Sequence, residues 1–141
     1  MKLTFDRSFL VLGLTYGILG MALGIYMAAT RDHSQLVTHA HLMLVGFLLS
    51  VIYALIHRLW LEQPRRWLAR IQFAAHHLGT VMMVTGLYLL YGGHQTHETL
   101  EPLLASASII VLVAMLLIAV MVISPVRSAL PAAESRITAG S

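Results

Sequence analysis

The sequence predicts an all-α integral membrane protein, a bundle of four membrane-spanning helices. Of its 141 residues, 58% are hydrophobic and only 11% are charged, whereas soluble domains average about 25% charged residues. The apolar residues form four runs, each long enough to cross roughly 30 Å of hydrocarbon as a helix. A chain of this length forms one compact domain. The absence of cysteine excludes disulfides, thiolate-bound metals and covalent cofactor attachment through cysteine.

The four predicted spans cover residues 8–30, 35–60, 69–91 and 103–124, within a domain of residues 1–125. Pro102 suits the first position of the fourth helix, where a missing N–H costs nothing. Pro125 ends that helix, because proline cannot continue it. The remaining residues, 126–141, are rich in Ala and Ser, and we expect them to form a frayed tail.

The first helix carries four glycines on one face: Gly13, Gly17, Gly20 and Gly24. Small residues allow membrane helices to approach one another closely. A smooth glycine face also suits the flat surface of a macrocycle, and the sequence leaves both interpretations open.

Basic residues predict the orientation. All but Arg31 precede the first helix, surround the second connection or follow the fourth helix, while the third connection, residues 92–101, has none. The positive-inside rule therefore places both termini and the second connection in the cytoplasm, as in a multi-pass protein of a bacterial-type inner membrane. The net charge of +3 follows this topology, and no nucleic-acid-binding motif is present.

The most informative feature is a His-x-His pair, His39 and His41, inside the second span. Intramembrane histidines are costly and mark functional sites. At roughly 100° per residue the two side chains point about 200° apart, toward opposite sides of the helix. A packed structural pair, with Thr38 as one hydrogen-bond partner, is the alternative. Neutral imidazole is also a common axial ligand of haem iron, which predicts haem bound first through His41 and then through His39.

The other six histidines divide by depth. His76 and His77 lie near the inner end of the third span, about 10 Å in depth from the His-x-His pair, and one of them is a second candidate ligand. His57 is expected at the inner interface with a solvated tip. The outer loops carry His33, His94 and His97. These three are candidate copper or zinc ligands, with a shared metal favoured if the loop of His94 and His97 continues a helix.

Residues 38–46, THAHLMLVG, resemble the haem-ligating helices of the haem-copper oxidase and nitric oxide reductase catalytic subunit. In that family one helix carries a His-x-His pair whose members hold two haems on opposite sides. The family's fold is three arcs of four helices with pseudo-threefold symmetry, and this chain resembles one arc. The resemblance covers mainly residues 31–58. The family's cross-linked His–Tyr pair has no counterpart here. The family also has a copper-binding His–His pair, but we do not assign that copper role to His76 and His77.

The resemblance implies a small membrane cytochrome, and haem b is expected because no covalent attachment motif is present, with additional copper as a further option. It serves electron transfer or binding of a gas such as oxygen or nitric oxide. If the protein is an enzyme, it is an oxidoreductase of the haem-copper oxidase type, although the family's set of catalytic residues is incomplete here. Its electron donor would be a redox partner or a quinol. A homotrimer is the favoured assembly, followed by a dimer. Two alternatives stay open: a copper- or zinc-binding membrane protein, and a non-catalytic assembly subunit of a respiratory complex.

Overall fold

The computed structural model describes residues 4–61 and 65–124. These residues form four helices and no strand: α1 (Phe5–Thr30), α2 (Leu36–Leu59), α3 (Arg66–Tyr91) and α4 (His97–Ile123). All four are long and apolar enough to cross a membrane. The predicted all-α class, with four helices that could span a membrane, is therefore confirmed, while the predicted tail lies outside the described residues.

The helix α4 begins at His97, well before the predicted start at residue 103. Thr96 explains the earlier start, because its side chain accepts a hydrogen bond from the Thr99 N–H and so caps the helix. Pro102 consequently lies inside α4 and not at its first position. At the other end, Ser124 has an extended backbone, as expected for a residue that precedes a proline.

The helices α1 and α2 pack along the glycine face of α1. Side chains of α2 already occupy the space beside each glycine: Ser50 at Gly13, Phe47 at Gly17, Met43 at Gly20 and His39 at Gly24. A Cβ atom on Gly24 would lie 3.0 Å from the His39 ring. The glycine face therefore serves helix packing, the first of the two interpretations, and it is not a bare wall against a macrocycle.

The helices α3 and α4 form the second close pair. A Cβ atom on Gly79 would lie 2.8 Å from a methyl group of Val111 and 3.1 Å from the Ala107 carbonyl oxygen. Because part of this contact is backbone, the neighbour cannot simply rotate away. Contacts between α2 and α3 join the two pairs into one bundle.

The two ends of the bundle differ in charge. At one end, named here the basic end, lie the exposed residues Arg7, Arg58, Arg65, Arg66 and Arg70. The opposite end, named the loop end, holds residues 31–35 and 92–96, in which Arg31 is the single arginine. An aromatic and aliphatic core lies toward the basic end and includes Phe9, Tyr53, Ala69 and Ile118, so all four helices contribute to it.

The helix α2 is not regular throughout. Its first segment, Leu36–His41, is α-helical, the segment Leu42–Leu48 is a π-helix, and Leu49–Leu59 is α-helical again. A π-helical segment widens the turn and rotates the residues that follow, and such segments often mark functional sites. The π-helix begins directly after the His-x-His pair. Nothing in the hydropathy pattern predicted it.

Candidate functional site

His39 joins α2 to α1. Its Nδ1 atom lies 2.8 Å from the carbonyl oxygen of Gly20. Since a carbonyl oxygen only accepts hydrogen bonds, the Nδ1 atom donates and carries the proton. The ring lies against Gly24, whose missing side chain leaves room for it. Two positions of the α1 glycine face therefore hold the His39 ring in place.

His41 is held by its own helix. Its Nδ1 atom lies 2.8 Å from the carbonyl oxygen of Val37 and donates to it. Val37 and Val45, one turn to either side, pack against a cluster of Met83, Leu87 and Ala107 on α3 and α4. His41 thus lies on the α3 side of α2 while His39 contacts α1. The predicted divergence of the two side chains is present in the structure.

Both imidazoles have the same protonation pattern. In each, Nδ1–H donates to a backbone carbonyl, which leaves Nε2 with a free lone pair in the neutral ring. Among residues 4–61 and 65–124, neither Nε2 atom has a hydrogen-bond partner. Both residues are half-buried. Thr38, the expected partner, instead donates to the Gln35 side-chain oxygen at 2.7 Å.

A histidine that ligates a metal almost always donates its other ring N–H to a carbonyl or carboxylate, which orients the ring and fixes its tautomer. His39 and His41 both meet this requirement before any ligand is bound. Their donor atoms therefore fit the axial ligation of haem iron. Because the two rings lie on opposite sides of α2, one iron cannot take both as ligands.

His76 and His77 occupy the interior of the bundle. His76 is completely buried, and its Nε2 atom lies 2.8 Å from the Ser50 hydroxyl. His77 is 9% exposed, and its Nδ1 atom lies 3.3 Å from the Tyr16 hydroxyl. Their remaining nitrogen atoms are enclosed by the protein. Ligation of haem by either residue would need a different packing, and it stays a prediction.

His57 is buried, and the expectation of an interfacial residue with a solvated tip is wrong. Only 7% of the residue is exposed. The ring stacks against Phe5 and Phe9, with centroid distances of 5.8 and 5.5 Å. Its Nε2 atom lies 3.3 Å from the side-chain oxygen of Gln72. Aromatic neighbours on α1 and a buried amide on α3 thus draw the imidazole into the core.

The loop histidines His33, His94 and His97 are exposed. His97 begins α4, whereas His94 lies in the preceding turn, so the loop does not place the two on one helix. Within the described parts of the chain, no three His, Asp or Glu side chains are close enough to hold a metal ion. Metal binding by these three histidines therefore stays a prediction without a three-ligand cluster to support it.

A cleft of about 660 Å³ opens at the loop end, lined by residues of α1, α3 and both loops. Three tyrosines contribute to its walls, Tyr26, Tyr88 and Tyr91, as expected where helices meet a membrane interface. Gln35 lines the cleft and lies one turn before His39, whose backbone N–H donates to the Gln35 carbonyl at 2.9 Å. Gln35 therefore links the cleft to the first turn of α2, which carries His39.

No protein-family model, curated protein sequence or solved structure matches this chain. The geometry of the described residues is therefore the basis for a functional assignment. It defines a class, a protein of four helices that could span a membrane, with two oriented imidazoles on α2.

Sequence reasoning found the His-x-His pair but missed three features of its surroundings. The Gly20 carbonyl lacks a sequence signature, because backbone groups are common to all residues. The π-helix after His41 has no signal in hydropathy. Gln72 is a polar residue within a predicted span, and that polarity was the available sign of the buried cluster it forms with His57 and His76.

Proposed function

We propose that this protein is a membrane b-type cytochrome that holds haem through the imidazoles of α2. The observation that carries the proposal is the shared hydrogen-bond pattern of His39 and His41. In both rings Nδ1–H is bound to a carbonyl at 2.8 Å, so a neutral Nε2 lone pair is available to iron. His41 is the first choice for a ligand and His39 the second.

The chain's own residues orient the ligands. The Val37 carbonyl fixes the His41 ring, and the Gly20 carbonyl together with Gly24 fixes the His39 ring. When bound, haem supplies one-electron redox chemistry, or an open iron position for a gas such as oxygen or nitric oxide if only one imidazole ligates.

Assembly follows from the divergence of the two imidazoles. Since His39 and His41 lie on opposite sides of α2, a second axial ligand for either iron comes from another copy of the chain. A homotrimer, in which the α2 helices of three copies lie near a common axis, is the favoured arrangement, and a dimer is the next. The resemblance to one arc of the haem-copper oxidase fold supports the trimer.

The proposed orientation places the basic end in the cytoplasm of a bacterial-type inner membrane, because its arginines follow the positive-inside rule. The His-x-His pair then lies toward the outer face. The adjacent loop-end cleft is where a redox partner or quinol would reach the site. We do not extend the proposal to catalysis, since no tyrosine one turn from either histidine matches the family's His–Tyr pair.

Absorption spectra of the detergent-purified protein, oxidised and then reduced with dithionite, test the proposal. A Soret band with sharp reduced α and β bands indicates a low-spin haem with two imidazole ligands. A broad reduced spectrum that shifts with carbon monoxide indicates one imidazole and an open position. A protein without a Soret band, expressed with ample haem supply and also colourless after titration with hemin, contradicts the proposal.

A further inference from the structure

Three polar atoms on α3 are enclosed without a hydrogen-bond partner among the described residues: Gln72 Nε2, His76 Nδ1 and His77 Nε2. Gln72 and His76 are completely buried, and His77 is 9% exposed. In a membrane span an unsatisfied polar group is especially costly, because the surrounding lipid offers no partner. Three such atoms within two turns of one helix require a polar ligand that the described residues do not supply.

The three side chains lie next to one another. Gln72 and His76 are four residues apart, so they share one face of α3. The rings of His76 and His77 have a centroid distance of 4.9 Å. Aromatic rings close the surrounding space, with Tyr53 at 4.9 Å from His76 and Phe73 at 4.5 Å from His77. The unpartnered atoms thus belong to one enclosed polar site.

The chemistry of the site indicates water. The Gln72 NH₂ group can only donate, while each imidazole can donate or accept at its free nitrogen, depending on its tautomer. A bound water molecule can accept two hydrogen bonds and donate two, and it typically has about three partners in protein interiors. An anion would find few donors here. A metal ion would find no third His, Asp or Glu ligand among the described residues.

The polar site continues toward the basic end. The side-chain oxygen of Gln72 accepts from His57 Nε2 at 3.3 Å, and His57 lies in the last turn of α2 beside Arg58. At the deeper side, His76 bonds to Ser50 and His77 bonds to Tyr16. Two hydrogen-bonded groups of polar side chains therefore lie along the bundle, His57 with Gln72 toward the basic end and His76 and His77 with their partners deeper, and the unpartnered atoms lie on the side chains between them.

We propose that Gln72, His76 and His77 bind an internal water cluster that is connected to the basic end through His57. The cluster gives water, and the protons it carries, access to the middle of the membrane span. This inference does not rest on haem binding, because none of its residues belongs to the His39/His41 site.

The test is water-edited solid-state NMR on the full chain in lipid vesicles, with ¹⁵N-labelled histidine and ¹³C-labelled alanine. Magnetisation from water should reach the His76 and His77 side chains early. It should not reach the methyl groups of Ala107 and Ala114, which are also completely buried but lie on the apolar helix α4. If the two histidines receive water magnetisation no faster than these alanines, the water cluster is absent and the proposal is overturned.

Two variants test the connection. Gln72→Leu removes the enclosed donor and should abolish the transfer to His76. His57→Phe keeps an aromatic ring between Phe5 and Phe9 but removes the polar link, and it should slow the transfer to both histidines. His97→Phe, at the exposed start of α4, is the matched control and should leave the transfer unchanged. Unaltered transfer in His57→Phe would show that water does not arrive through His57.

Discussion

The Nδ1 atom of His39 lies 2.8 Å from the carbonyl oxygen of Gly20, and this contact links the two helices α1 and α2 at the His-x-His pair. An α-helical carbonyl normally accepts from the N–H four residues later, so the imidazole adds a second donor to this oxygen. The bond fixes both the ring and its tautomer. The properties of His39 therefore depend on how α1 packs.

The close contact between Gly24 and His39 yields a first prediction. In Gly24→Ala the new methyl group lies 3.0 Å from the ring, so the imidazole must tilt away from the Gly20 carbonyl. Changes to groups that orient a ligand typically weaken metal affinity by about 10- to 100-fold, and we expect a tenfold or greater loss of haem affinity at the His39 site.

A hemin titration that resolves the His39 site, for example in a His41→Ala background, measures this affinity. The control is Ala22→Val, which adds bulk on an exposed position of the same helix and should leave haem binding unchanged. Equal affinities for the two variants would show that Gly24 does not position His39.

Burial of His57 leads to a second prediction. His57→Ala removes a ring stacked on Phe5 and Phe9 and leaves Gln72 without its partner. We expect a loss of stability on the order of 3 kcal/mol, as for truncation of other buried aromatic rings. The haem spectrum of the folded fraction should not change, since His57 lies at the opposite end of α2 from His41.

Reversible unfolding in mixed detergent micelles measures this loss. The matched change His33→Ala, at an exposed loop position, should alter stability by less than about 0.5 kcal/mol. A His57→Ala protein as stable as the His33→Ala protein would place His57 at the interface after all.

The contact between α3 and α4 gives a third prediction. Gly79→Ala directs a methyl group against Val111 and the backbone of Ala107, so the helices must separate. Overpacking of this kind costs about 1–3 kcal/mol. Unfolding in mixed micelles should show that loss, whereas Ala74→Val, on the exposed face of α3, should not. Unchanged stability in Gly79→Ala would mean that the two helices pack less closely than described.

Asp32 allows a fourth prediction, on pH. The backbone N–H of Ser34 donates to the Asp32 carboxylate at 2.9 Å, and this hydrogen bond is the main cause that lowers the pKa of Asp32 below its usual value. Because the folded pKa is depressed, the carboxylate stabilises the turn above the unfolded pKa of about 4. That contribution is lost as the pH falls from there through the folded pKa.

An NMR titration of the Asp32 carboxyl carbon measures this pKa. Ser34→Ala removes the hydroxyl but keeps the backbone N–H, so the pKa of Asp32 should stay lowered. A return to the usual value in Ser34→Ala would show that the hydroxyl, and not the backbone, holds the carboxylate.

The helices could be predicted because their signal is strong and local. Long apolar runs separated by charged loops admit few other structures in a membrane, and the opposed directions of His39 and His41 follow from helical geometry alone. The start of α4 was missed because Thr96 caps the helix through a single side-chain contact, which hydropathy does not register.

The error over His57 has a tertiary cause. Its position beside Arg58 indicates an interface, but Phe5, Phe9 and Gln72 come from two other helices and enclose the ring. From the sequence, the glycine face could contact either a neighbouring helix or a macrocycle. Only the packing of Ser50, Phe47 and Met43 against it shows that the partner is a helix. Contacts between distant segments determine both outcomes, so a pattern within one segment cannot predict them.

The haem content of His41→Ala, compared with His33→Ala and the unchanged protein, tests the central claim most directly. All three proteins are purified in parallel, and haem per chain is measured from the reduced pyridine complex. We predict that His41→Ala loses most or all of its haem, while His33→Ala retains the content and spectrum of the unchanged protein. Full haem retention with an unaltered spectrum in His41→Ala would contradict the assignment of His41 as an iron ligand.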